Sequence, residues 1–149
     1  MAYELSTQVQ DELSQVIVVK IGDEQYGIDI KYIDNIVRMQ SITRVPKVPA
    51  YLKGVINLRG EVIPVMSLRL KMGLDADEIT KTTRIIIIKI NHESIGLLVD
   101  SVKEVVNIDF DQVERVSFEN RDDNSFVMGI AKQSEELISL LDINAVLSE

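Results

Sequence analysis

The sequence predicts an all-β protein of two five-stranded barrels, each repeat ending in a short helix, and three observations predict it. The first is an internal duplication. Residues 16–39 lie over residues 85–108 at a constant offset of 69, matching Lys20 to Lys89, Glu24 to Glu93, Gly27 to Gly96 and Val37 to Val106. Residues 51–72 lie over 126–147 at an offset of 75, matching Gly54 to Gly129 and Glu61 to Glu136. The change in offset falls between the matched blocks, where an insertion sits in a loop. The second observation is a set of short β-branched runs separated by turn residues. The third is size. Two repeats are too few for a solenoid, and a copy of about 65 residues is marginal alone, so two small domains packed through an apolar seam are expected. Closing each sheet on itself would hide its edges. The bounds expected are a tail over residues 1–14, a first barrel over 15–83 and a second over 84–149.

Taken in order, Val16 to Ile21 is a β-branched strand, Gly22-Asp23-Glu24-Gln25 supplies a turn, and Tyr26 to Ile30 completes a hairpin. The second copy repeats this as Arg84 to Ile90, Asn91-His92-Glu93-Ser94 and Ile95 to Val99. Ile33, Ile36 and Val37, like Val102, Val105 and Val106, carry the i, i+3, i+4 spacing of a short helical turn. Ile42 to Val45 reads as a further strand, which Pro46 and Pro49 interrupt. Gly54 to Leu58 and Glu61 to Ser67 form a second hairpin, with Gly60 free to take a positive φ at its tip. Gly129 to Gln133 and Glu136 to Leu141 are its counterpart. Ser67 and Asp142 are N-cap residues before Leu68 to Met72 and Ile143 to Leu147. The tip Asn57-Leu58-Arg59-Gly60 is not copied, since Lys132-Gln133-Ser134-Glu135 stands there in the second repeat.

Composition narrows the function. The 149 residues contain no cysteine, which excludes disulfides, thiol nucleophiles and thiolate metal sites. Residues 1–15 are polar and acidic, unlike a secretory signal, and apolar runs such as Ile85 to Ile88 are far too short to span a bilayer. A soluble, cytoplasmic protein is expected. The net charge of −8 is unevenly spread, with nine basic and four acidic residues between Arg38 and Arg84. An acidic chain is a poor binder of phosphate backbones, whereas its basic middle either faces an acidic protein surface or is merely solvated.

Motifs for catalysis are missing. No dinucleotide or phosphate-loop glycine pattern occurs, and Gly54 and Gly60 bracket an apolar strand with no lysine after it. The lone histidine, His92, falls in a predicted turn without metal-binding companions. Asp122-Asp123-Asn124 lacks the spacing of a calcium loop. No carboxylate pair is singled out for hydrolysis, and the dispersed aromatics make no base-stacking platform. The sequence is that of a non-enzyme needing no metal or cofactor.

The stretch Gly54-Val-Ile-Asn-Leu-Arg-Gly-Glu-Val-Ile-Pro-Val65, with Glu24-Gln-Tyr-Gly-Ile-Asp29 and Gly96-Leu-Leu-Val-Asp100, resembles the CheW family of bacterial chemotaxis coupling proteins. The resemblance runs from Val16 to Leu147. It implies paired SH3-like five-stranded barrels and a non-catalytic adaptor. Its partners would be the cytoplasmic tip of methyl-accepting chemoreceptors and the regulatory domain of the histidine kinase CheA. It further implies a receptor-binding groove between the barrels, lined at matching positions by Ile17, Ile30, Ile33, Ile36 and Val102, and a contact hairpin of Asn57, Leu58, Arg59 and Gly60. Ile17 and Ile30 read equally as core, and Arg59 equally as a solvated arginine. Many relatives carry an acid where Asn35 stands, so the tip arginine would lack a charged partner here. Two other readings stay open at this point. One is an adaptor for a related non-flagellar receptor–kinase pathway. The other is a small-molecule-binding or enzymatic barrel protein that uses polar groups such as Asp29 or Asp100.

Overall fold

The computed structural model describes residues 13–115 and 126–148. Most of the expected tail and the Asp122-Asp123-Asn124 loop lie outside the described residues. Eleven strands account for most of the rest: β1 (Leu13–Ile21), β2 (Glu24–Asp29), β3 (Ile33–Arg38), β4 (Leu52–Leu58), β5 (Glu61–Ser67), β6 (Arg84–Ile90), β7 (Glu93–Val99), β8 (Ser101–Asp109), β9 (Glu114–Arg115), β10 (Val127–Gln133) and β11 (Glu136–Leu141). Two short helices, α1 (Leu68–Lys71) and α2 (Ile143–Leu147), end the repeats as expected. Ser67 Oγ accepts from Leu70 N at 3.1 Å and Asp142 Oδ1 from Ala145 N at 3.2 Å, so both predicted N-caps hold.

The strand orders are β8-β1-β2-β11-β10-β9 and β3-β6-β7-β5-β4. The two sheets do not divide at residue 83/84. Strands β3 to β7, contiguous in sequence, make a central barrel, while β1, β2 and β8 to β11, from both ends of the chain, make a terminal barrel. Each repeat's first hairpin therefore joins the other repeat's second hairpin, through parallel pairs β5–β7 and β2–β11. The copies match at these positions, so the sequence alone does not say which copy supplies a strand's neighbour, an ambiguity of the kind that underlies domain swapping. Among the described residues the chain crosses between barrels twice, through a 3₁₀ turn at Ile30–Tyr32 and through Asp100 alone.

Closure is made by one returning segment in each barrel. Beyond β3, Thr43 exchanges two backbone hydrogen bonds of 2.8 Å with Val55 of β4, at the far side of the sheet. The expected strand over Ile42 to Val45 is reduced to that single bridge. Beyond β8, β9 pairs with β10 through Arg115–Gly129 and Glu114–Ile130. The matched glycines sit where these approaches are tight. A Cβ on Gly54, whose φ is +143°, would lie 2.1 Å from the Thr43 carbonyl oxygen, and one on Gly129 would lie 2.7 Å from Val113 Cγ1.

Among the described residues, three apolar clusters hold the molecule together. Val16, Val18, Val106, Ile108, Ile138 and Leu140 fill the terminal barrel, and Ile56, Ile63, Val65, Ile85, Ile87 and Leu98 fill the central one. The third and most extensive is the expected seam, where Ile17, Val19, Ile21, Ile28, Leu68, Ile86, Ile88, Leu97, Val99, Leu141, Ile143 and Val146 meet. Strands β1 and β6 are thus buried on both faces, one inside a barrel and one in the seam. That is why Val16 to Val19 and Ile85 to Ile88 are uninterrupted apolar runs rather than alternating ones. Each such side chain contributes about 1.5–3 kcal/mol of transfer free energy.

The spacing at Ile33, Ile36 and Val37 does not make a helix. Register shifts between Ile33 and Asn35 on β3, and opposite Val18/Val19 on β8, mark a β-bulge at the same place in each repeat. The extra residue puts Ile33 opposite Ile88 and Ile36 opposite Ile86, both on the seam face, and Val37 opposite Ile85 on the barrel face. One inserted residue turns a period of two into an apparent helical period. The hairpin tip also differs from expectation. Arg59 and Gly60 both have positive φ (54° and 83°), but so do Ser134 and Glu135 (49° and 71°) at the equivalent turn. The backbone of the tip is duplicated after all; only its side chains are not.

Candidate functional site

The bulged strands β3 and β8 flank the seam, one from each barrel. Val105 pairs with Ile17 and Val102 with Val19 on β1, while Ile33 and Ile36 pair with Ile88 and Ile86 on β6. Ile33, Ile36 and Val102 are half-buried and pack against the seam cluster. Ile17 lies below them at 4% exposure, so it is core packing that supports the strip rather than accessible lining. Ile30 is 38% exposed, at the start of the 3₁₀ turn just before Ile33. Val105, 49% exposed, was missed by the sequence reading, although its repeat partner Ile36 was not. The repeat itself was the signal that would have found it.

At the β4–β5 tip, Asn57 Oδ1 accepts from Gly60 N at 3.1 Å, which ties the turn. Leu58 is half-buried against the central-barrel core. Arg59 is exposed and makes no hydrogen bond or ion pair among the described residues. Asn35 gives it nothing, because its Oδ1 accepts from Ile36 N at 2.9 Å. Of the four residues, Arg59 is the one presented to solvent with its charge uncommitted.

The polar groups considered for a small-molecule site are both engaged in the fold. Asp29 Oδ1 accepts from Lys31 N at 3.0 Å and starts the 3₁₀ turn. Asp100 Oδ1 and Oδ2 accept from Arg69 Nε at 2.9 Å and Nη2 at 2.7 Å, and Oδ2 also accepts from Gly22 N at 2.8 Å. This fork ties α1, the β1–β2 turn and the second interbarrel crossing. The Arg69 hydrogen bonds, against the opposing effect of burial, hold the Asp100 carboxyl below its ordinary pKa. A depressed folded-state pKa contributes stability that is complete above the unfolded value and is lost as pH falls through the folded one. Asp100→Asn is therefore expected to lose about 1–2 kcal/mol of unfolding free energy at pH 7, with the gap to wild type closing as pH drops below 4. Urea unfolding at both pH values checks this, and a pH-independent gap would contradict it.

No cluster of three or more metal-ligating side chains occurs among the described residues. No helix among them is long and apolar enough to cross a membrane. The described residues carry a seam strip of half-exposed aliphatic side chains and a hairpin presenting an uncommitted arginine.

The model of the CheW-like domain matches residues 15–149, nearly the whole chain. The chain belongs to the CheW-like family. It is 38% identical over 139 residues to the chemotaxis protein CheW of Helicobacter pylori, covering 93% of this chain and 84% of that one. To the chemotaxis protein CheW of Bacillus subtilis it is 36% identical, covering 91% and 87%. Among solved structures, the scaffolding protein TtCheW from Thermoanaerobacter tengcongensis superposes with a TM-score of 0.83 at 34% identity, covering 91% of this chain and 93% of that one. These CheW relatives are named as chemotaxis and scaffolding proteins and not as enzymes. At the two ends of the stretch from Gly54 to Val65, Gly54 closes the central barrel and Val65 fills it.

Proposed function

We propose that this CheW-like chain is a non-catalytic cytoplasmic adaptor. In this reading it couples the tips of methyl-accepting chemoreceptors to the regulatory domain of the histidine kinase CheA, and so helps assemble receptor–kinase arrays at the membrane. The observation that carries the receptor half is the strip of Ile30, Ile33, Ile36, Val102 and Val105, which leaves aliphatic surface half-exposed over a rigid apolar floor. An amphipathic helix from a receptor hairpin suits such a groove, with its apolar face against the strip. The hairpin with Arg59 supplies a second, charged contact surface.

Titrating the isotope-labelled protein first with a receptor-tip fragment and then with the CheA regulatory domain would map both surfaces by chemical shift. Ile33→Asp is expected to weaken binding of the receptor tip at least tenfold, about 1.4 kcal/mol, while the protein stays folded because Ile33 is only half-buried. Retained affinity, or wholesale unfolding, would remove Ile33 from the groove. Arg59→Glu is expected to weaken a protein contact while shifting unfolding free energy by no more than ~0.5 kcal/mol. A collapse of thermal stability would make Arg59 structural instead.

A further inference from the structure

We propose that the loop between β3 and β4 is a docking site for an acidic peptide segment with an apolar residue among its carboxylates. This goes beyond the adaptor reading, since no residue of the β3–β8 strip takes part. Residues 42–53 wall an open cavity of about 650 Å³. Arg44, Lys47 and Lys53 line it, and no acidic residue does. None of the three makes a hydrogen bond or ion pair among the described residues, whereas Arg69 and Lys103 are paired with Asp100 and Glu136 at 2.7 Å. Ile42, Val45 and Leu52 give the cavity an apolar component, and Val45 is 38% exposed.

The loop is held in shape without a partner. The Thr43–Val55 bridge fixes one end, Leu52 N donates to Pro49 O at 3.0 Å at the other, and two prolines restrict the span between. Lys47 has a φ of +62°, a left-handed conformation that lysine adopts only when its surroundings hold it there. A preformed site with uncompensated cations loses little entropy on binding and attracts an acidic ligand from a distance. The aliphatic wall would go unused with a small inorganic anion, and a chain of net charge −8 disfavours a nucleic acid. An extended peptide alternating glutamate or aspartate with leucine satisfies both the charges and the wall.

The test uses the full-length protein and a fluorescein-labelled peptide of alternating glutamate and leucine, read by anisotropy and by amide shifts. Saturable binding is expected, with shifts centred on residues 42–53 and affinity falling as salt rises. The triple variant Arg44→Glu/Lys47→Glu/Lys53→Glu should weaken it at least tenfold. Val45→Ser, which leaves the charges in place, should weaken it severalfold, whereas Ile33→Asp should not change it. That last arm separates a failure here from a failure of the receptor groove. Equal binding of the glutamine-for-glutamate peptide, shifts centred elsewhere, or an unchanged affinity in both loop variants would overturn the proposal. So would tighter, loop-dependent binding to phosphatidylserine vesicles or to polyphosphate than to the peptide.

Discussion

Severing the chain between Thr83 and Arg84 is expected to leave two fragments, neither of which folds. The first would carry β3, β4 and β5 without β6 and β7, which stand between β3 and β5 in the sheet. Its β1–β2 hairpin would lack β8 and β11, the strands on either side. The second fragment would suffer the reverse loss. A lone two-stranded hairpin is marginal in water, and the faces that β1 and β6 bury twice over would be exposed. Mixing the fragments should restore the native circular dichroism and a dispersed amide spectrum, since every pairing partner is again present. A dispersed spectrum from either half alone would overturn this account. Residues 30–100 make the instructive contrast. They keep all pairings of the central barrel but uncover Ile86, Ile88, Leu97 and Val99 of the seam, so they are expected to aggregate rather than unfold.

The second large effect is expected from a single methyl group. Gly54→Ala places a Cβ 2.1 Å from the Thr43 carbonyl oxygen, on a backbone with φ of +143°. The clash is with main chain, so no rotamer change relieves it. The Thr43–Val55 bridge that closes the central barrel has to open or shift. A cost of about 3 kcal/mol or more is expected, combining the disfavoured conformation with the lost closure. It should lower the urea midpoint by about 1–2 M. Gly60→Ala is the matched control. It too has positive φ, but a Cβ there meets nothing within 4 Å, so a cost of about 1 kcal/mol is expected from conformation alone. Equal midpoints for the two variants would show that closure at Gly54 matters no more than an ordinary turn.

The duplication made the strand content, the caps and the seam legible, because matched apolar positions and matched Ser67 and Asp142 carry local information. Which copy supplies a strand's neighbour is not local. The same matches that reveal the repeat make own and exchanged partners look alike in sequence, so a boundary at 83/84 was the natural inference, whereas the strands of both sheets are shared across it. The bulges at Ile33 and Val102 were misread for a related reason, as one extra residue imitates helical spacing until the opposite strand is seen. Among the site residues, Ile17 and Ile30 look alike in sequence yet are 4% and 38% exposed. Only register against β8 and the 3₁₀ turn separates them. The fork of Arg69 on Asp100 joins residues 31 positions apart and has no counterpart in the other repeat, so no periodicity announces it.

The two crossings between barrels have a mechanical consequence. One is a single residue, Asp100, clamped by Arg69 and Gly22, and the other is a three-residue turn pinned by Asp29. With two short tethers and a common apolar layer between them, the barrels have no slack in which to separate or swivel. Surfaces on opposite barrels are thereby held at a constant spacing and angle. In the proposed adaptor role, a body tethered this way would act as a fixed strut, setting the distance between partners bound at its two ends.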